Sequence, residues 1–104
     1  IAVLDMGYSL LEDCGFTRAE AVRATGQLVM RNIENVLEAG CDGALTGPIE
    51  RNDIETVKKH IACMQNDDSD DVRLYKMLGT KLVNIAEKKN PDKDYTQMME
   101  LLRG

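Results

Sequence analysis

Residues 17–40, TRAEAVRATGQLVMRNIENVLEAG, decide what kind of fold this chain can adopt. Thr17 is followed three residues later by Glu20, the spacing of a capping box. The threonine hydroxyl can accept from the Glu20 N–H while the glutamate reaches back to the Thr17 N–H. Beyond the cap, Val22, Val29, Ile33 and Val36 recur at helical spacing, and Leu28 and Leu37 widen the apolar arc. One long helix to about Ala39 is predicted, buried over much of its circumference. Gly26 in its middle costs about 1 kcal/mol relative to alanine, for which close approach of another helix is the expected compensation. Gly40 is a fitting C-cap.

Working outward, residues 1–14 place Val3, Met6, Leu10 and Cys14 on one stripe and Leu4, Tyr8 and Leu11 on the next, with Gly15 as the stop. After the long helix, Asn52 or Asp53 can cap a third, whose buried stripe is Ile54, Val57, Ile61 and Met64. The cluster Asn66 to Asp71 ends it and brings negative charge to the start of a fourth helix, where the macrodipole favours it. That helix carries Val72, Tyr75, Leu78, Leu82 and Ile85 and runs to Lys88 or Lys89, ahead of Asn90-Pro91. A short last helix from about Asp94 carries Tyr95, Met98, Met99 and Leu102. No alternating strand pattern and no internal repeat is visible. The expected fold is therefore all-α, a single domain over residues 1–104 with about five helices.

Composition narrows the function classes. With 43% hydrophobic and 30% charged residues the chain reads as globular, and no apolar run approaches the roughly 18 residues of a membrane helix. A formal net charge of −5 disfavours a phosphate backbone or an anionic membrane, and 4% aromatics without tryptophan leave no stacking platform for single-stranded nucleic acid. Cys14, Cys41 and Cys63 are odd in number and lack a C-x-x-C, so neither a disulfide framework nor a structural metal site is expected. Reduced, partly buried thiols in a cytoplasmic protein are the better reading. The chain opens on Ile1 inside an apolar stretch without a signal peptide or a capping residue, which suggests a piece of something longer.

The candidate sites are few. A calcium loop starting at Asp67 would need glycine and glutamate where Val72 and Leu78 stand, and starts at Asn66 or Asp68 fare no better. Residues 43–53, GALTGPIERND, form a connection longer than the roughly two to eight residues usual between bundled helices. Its glycines match neither nucleotide fingerprint, and no lysine lies between Gly40 and Val57. Its cation, Arg51, can pair with Glu50 or Asp53; that structural role is expected ahead of anion binding. Thr46 reads first as a loop-stabilising hydroxyl and second as a substrate contact. His60, the sole histidine, flanks the apolar stripe of the third helix and is expected to bond to a loop, with catalysis as the lesser alternative.

The string GALTGPIERNDIETVKKHI resembles the C-terminal domain of a family of Rossmann-like oxidoreductase-type proteins, the domain of unknown function 2520 family. Its pattern A-L-T-G-P-x-x-R-G-D, followed by a helix ending near R/K-H-L, is met by Ala44, Leu45, Thr46, Gly47, Pro48, Arg51, Asp53 and His60. Asn52 replaces the usual glycine and is the next most tolerant residue for positive φ. LYKMLGTKLVNIAEKK, residues 74–89, is similar to a later helix of the family. The resemblance implies a domain similar to the C-terminal domains of 6-phosphogluconate dehydrogenase, ketopantoate reductase and pyrroline-5-carboxylate reductase. It implies a homodimer, a preceding Rossmann domain holding NAD(P), and no cofactor within this chain. Thr46, Gly47, Pro48, Arg51 and Asp53 would line the substrate cleft, with His60 a turn or two behind as the weak catalytic candidate. The rival expectation is a non-catalytic helical interaction module.

Overall fold

The computed structural model describes residues 1–64 and 70–104. Its order is α1 (Ala2–Asp13), α2 (Arg18–Ala44), α3 (Ile54–Met64), α4 (Asp71–Lys89) and α5 (Thr96–Arg103), with no strand among the described residues. The all-α expectation is met. None of these helices is long and apolar enough to cross a membrane. The chain separates into two compact units, Ile1–Glu38 and Ala39–Gly104.

In the first unit the local signals act as expected. Gly15, at φ 103°, lets the chain reverse after α1: its N–H donates to Glu12 O at 2.9 Å, and the Phe16 N–H donates to Leu11 O at 3.2 Å. These are the paired bonds of a Schellman ending, which needs a left-handed residue at that position. The capping box forms in both directions, Glu20 N–H to Thr17 Oγ1 at 3.1 Å and Thr17 N–H to Glu20 Oε1 at 3.2 Å. Arg18 then reaches back to α1, bonding Asp5 at 3.1 Å and Glu12 at 2.9 Å and lying 5.6 Å from the centre of the Tyr8 ring. The charged side chains are exposed, so each ion pair contributes at most about 1 kcal/mol.

Burial in this unit departs from expectation. No residue of α1 is buried, and Ala21 is the buried hydrophobic residue of α2 up to Glu38. Leu37 is 81% exposed, Leu28 70%, Met30 60% and Ile33 52%. Nothing lies within 4 Å of where a Gly26 Cβ would be, so the expected close approach at that glycine is not made among the described residues. The apolar pattern predicted a buried face, and within the unit Ile1–Glu38 that face is exposed.

The second unit holds the core: Ile49, Val57, Ile61, Val83, Ala86, Tyr95, Met98 and Leu102. Gly40, at φ 74°, breaks α2 close to where its end was predicted, and a last turn runs on to Ala44. Asp53 is the cap of α3, accepting from the Thr56 N–H at 3.2 Å and the Thr56 hydroxyl at 2.7 Å. On α4 the fully buried face is Gly79, Val83 and Ala86, rotated from the predicted stripe, of which Val72, Tyr75 and Leu82 pack partly buried against the core while Leu78 is left exposed. The cause is proximity. A Cβ at Gly79 would stand 2.8 Å from Leu102 Cδ2, so α5 packs against the side of α4 whose residues are small. Full burial of side chains such as Val57, Val83, Met98 and Leu102 contributes about 1.5–3 kcal/mol each. The three cysteines are free but exposed, not partly buried as expected. The loop considered for calcium, at residues 66–71, falls largely outside the described residues.

Candidate functional site

The connection between α2 and α3 is a short structured element. Gly47 turns the chain at φ 107°, and Pro48, with its fixed φ, opens a single helical turn. The turn carries an Arg51 N–H bond to Gly47 O at 3.0 Å. It closes as α1 does: the Asn52 N–H donates to Ile49 O at 3.1 Å, and the Asp53 N–H to Pro48 O at 2.8 Å. This is a second Schellman ending, with Asn52 at φ 62° in the place where glycine would be usual. Sequence reasoning anticipated the positive φ. It missed that the asparagine side chain has a use, for Asn52 Nδ2 donates to Asp94 O at 2.8 Å.

The rest of the anchorage comes from far along the chain. Ile49, 6% exposed, plugs the turn into the core. Behind it, Tyr95 is 3% exposed and its hydroxyl donates to Glu50 O at 2.6 Å. Asn90 Nδ2 donates to Glu50 Oε1 at 3.0 Å and to the Tyr95 hydroxyl at 3.1 Å. Lys89 Nζ donates to Leu45 O at 2.7 Å and lies 3.7 Å from Glu50 Oε1. Glu50, Lys89, Asn90 and Tyr95 thus form a latch that fixes the turn to the end of α4 and the start of α5. The Glu50 carboxyl is held below its ordinary value chiefly by the Asn90 hydrogen bond, with Lys89 adding to it and burial opposing.

With the latch occupied in this way, the predicted site residues fall into two groups. Glu50 is committed to Lys89 and Asn90. Asp53 is committed to Thr56, whose hydrogen bonds, with a smaller contribution from the Arg51 charge, hold its carboxyl below the ordinary value. The expected ion pair of Arg51 with either carboxylate is therefore not made. Arg51 is exposed, and its guanidinium makes no hydrogen bond or ion pair among the described residues. Thr46 is exposed too, and its hydroxyl does not brace the loop as first expected. A hydroxyl and a guanidinium five positions apart are thus presented on one anchored turn, both free to bind. That suits a small anion or carboxylate better than it suits bond-making chemistry.

His60 does not belong to this group. Its Nδ1 lies 3.0 Å from the Tyr75 hydroxyl on α4, and the two rings meet edge to face at 6.0 Å. The expected loop partner is replaced by a helix tyrosine, whose hydroxyl burial pushes above its ordinary value. No hydrogen bond joins His60 to residues 45–53 among the described residues.

In comparison with known proteins, a family model described as Domain of unknown function (DUF2520) matches residues 1–82, a span that contains the turn and His60 and stops short of Lys89, Asn90 and Tyr95. No curated protein and no solved structure matches.

Proposed function

The chain belongs to the domain of unknown function 2520 family, and from that premise we propose that it is the dimerisation and substrate-cleft domain of an NAD(P)-dependent oxidoreductase-like protein. The observation that carries the reading is the latched turn. Thr46 and the Gly47 backbone would hydrogen-bond a polar substrate group, and Arg51 would pair with a substrate carboxylate. Pro48 and Asp53 shape and close the turn. Anchoring from behind reduces the ordering that a ligand would otherwise have to impose. NAD(P) enters the proposal through a Rossmann domain elsewhere in the same polypeptide, as the family resemblance implies. The uncovered apolar face of α2 supports the homodimer.

Two titrations test it on the polypeptide that joins this chain to its upstream domain. Binding of NADH or NADPH, read by cofactor fluorescence, is expected in the parent; failure of both would remove the basis of the enzyme reading. Malonate serves as the carboxylate probe, and Arg51→Ala is expected to weaken it roughly tenfold or more while leaving cofactor affinity unchanged. The alternative, a non-catalytic helical interaction module, draws on the same uncovered α2 face and is favoured if cofactor and malonate both fail to bind.

A further inference from the structure

On α2, Val22, Gly26, Val29, Met30, Ile33 and Leu37 lie within an arc of about 120° at 100° per residue. Four of them, Val22, Met30, Ile33 and Leu37, are exposed large side chains. A shallow groove borders this stripe, lined by Val22, Arg23, Gly26, Met30, Arg31 and Glu34 among others. Gly26 is among its lining residues, and a Cβ there would meet nothing within 4 Å. We propose that the groove receives α2 of a second copy, crossing antiparallel about a two-fold axis near Val29 and Met30. Ile33 of each copy sits over the partner's Gly26, and Arg23 of each pairs with the partner's Glu34.

The stripe is self-complementary in that arrangement. Residues equidistant from the axis meet, which sets Val22 against Leu37, Gly26 against Ile33 and Val29 against Met30, so that a bulky residue faces the glycine. The charges select the direction. Arg23 and Glu34 are 34 − 23 = 11 positions apart, about three turns, and so share one edge of the helix. Neither has an ion pair among the described residues. With the axis between Val29 and Met30, an antiparallel crossing brings Arg23 within two residues, about 3 Å along the helix, of the partner's Glu34, an offset that the long arginine side chain spans. A parallel one, about a two-fold running along the helices, would put the Arg23/Glu34 edges of the two copies on opposite sides of the contact, where these charges do not meet. Exposed pairs contribute at most about 1 kcal/mol each, so the apolar seating supplies affinity and the charges supply orientation. A stable interface needs about 800 Å² per partner, more than one helix crossing provides, and the exposed Val3, Leu4 and Phe16 of the same unit offer further apolar area. The inference rests on the self-association in the proposed function and specifies its geometry.

Sedimentation equilibrium of the chain under reducing conditions tests it. Arg23→Glu and Glu34→Arg are each expected to raise the dimer dissociation constant about tenfold, and the double variant to return it to within about threefold of the parent. Gly26→Leu should dissociate the dimer with helix content by circular dichroism unchanged, because the space around it is open within one copy. A dimeric parent whose single charge variants associate normally, whose double variant shows no rescue, or whose Gly26→Leu variant associates as tightly overturns this crossing and leaves dimerisation standing. A parent that is monomeric at tens of micromolar overturns self-association itself and assigns the stripe to another segment of the polypeptide.

Discussion

Tyr95→Phe removes one oxygen atom and tests the latch directly. In the parent that oxygen donates to Glu50 O at 2.6 Å and accepts from Asn90 Nδ2 at 3.1 Å, on a residue 3% exposed. Phenylalanine fills the same space, so no cavity contributes. Asn90 keeps its bond to the Glu50 carboxylate, which limits the loss on that side. What remains is the Glu50 carbonyl, deprived of its donor in a site a ring still covers; an acceptor stranded in this way costs about 1–3 kcal/mol. A loss of about 2 kcal/mol is expected for the unit Ala39–Gly104. Native-state hydrogen exchange is the suitable assay, because the core amides of Val57 and Val83 report opening of this unit alone. Their exchange should quicken about 30-fold, the equivalent of 2 kcal/mol, and the amides of residues 49–53 should lose protection with them. Core exchange raised by less than about threefold would refute the view that this hydroxyl holds the turn.

Two further outcomes follow from the same turn. Asn52→Gly should cost about 1 kcal/mol, through loss of the bond to Asp94 O. Asn52→Ala should cost about 1–2 kcal/mol more, because alanine must also hold φ 62°; urea unfolding in which glycine matches asparagine would remove the tether role. Glu50→Gln tests the pH dependence. The folded carboxyl lies below its ordinary 4.5, so its contribution is complete above that pH and is lost as pH falls through the lower folded value. The variant should be less stable than the parent at pH 7, with the gap closing on acidification below about pH 4.5; a gap constant from pH 7 to pH 3 would contradict the assignment.

What could be read in the sequence was the local geometry. The Thr17/Glu20 box, the Gly15 reversal, the Asp53 cap and the positive φ of Asn52 each depend on partners within a few residues, and all are formed. The latch depends on partners 40 to 45 positions away, and neither Lys89 nor Tyr95 carries any pattern that would name Glu50 or Leu45. The expected pairing of Arg51 failed for the same reason, since its neighbouring carboxylates had distant or capping partners that bound them first. On α4, counting large apolar residues favoured the side with Leu78, whereas the close contact with Leu102 needs Gly79, Val83 and Ala86. On α2 the apolar pattern predicted burial, whereas Leu28, Met30, Ile33 and Leu37 are exposed; a pattern marks an apolar face without naming atoms that cover it.

The separation in sequence between the turn and its latch also bears on how the chain is made. During synthesis from the N-terminus, residues 45–53 emerge with α2 and can close their own short hydrogen bonds at once. The carbonyls of Leu45 and Glu50 must wait until some forty more residues have been added, because their donors sit on Lys89 and Tyr95. The presented pair, Thr46 and Arg51, is thus fixed in place only when α4 is complete and α5 has begun to dock. A nascent or truncated chain ending before Lys89 carries the whole sequence of the turn without any of the distant polar groups that hold it.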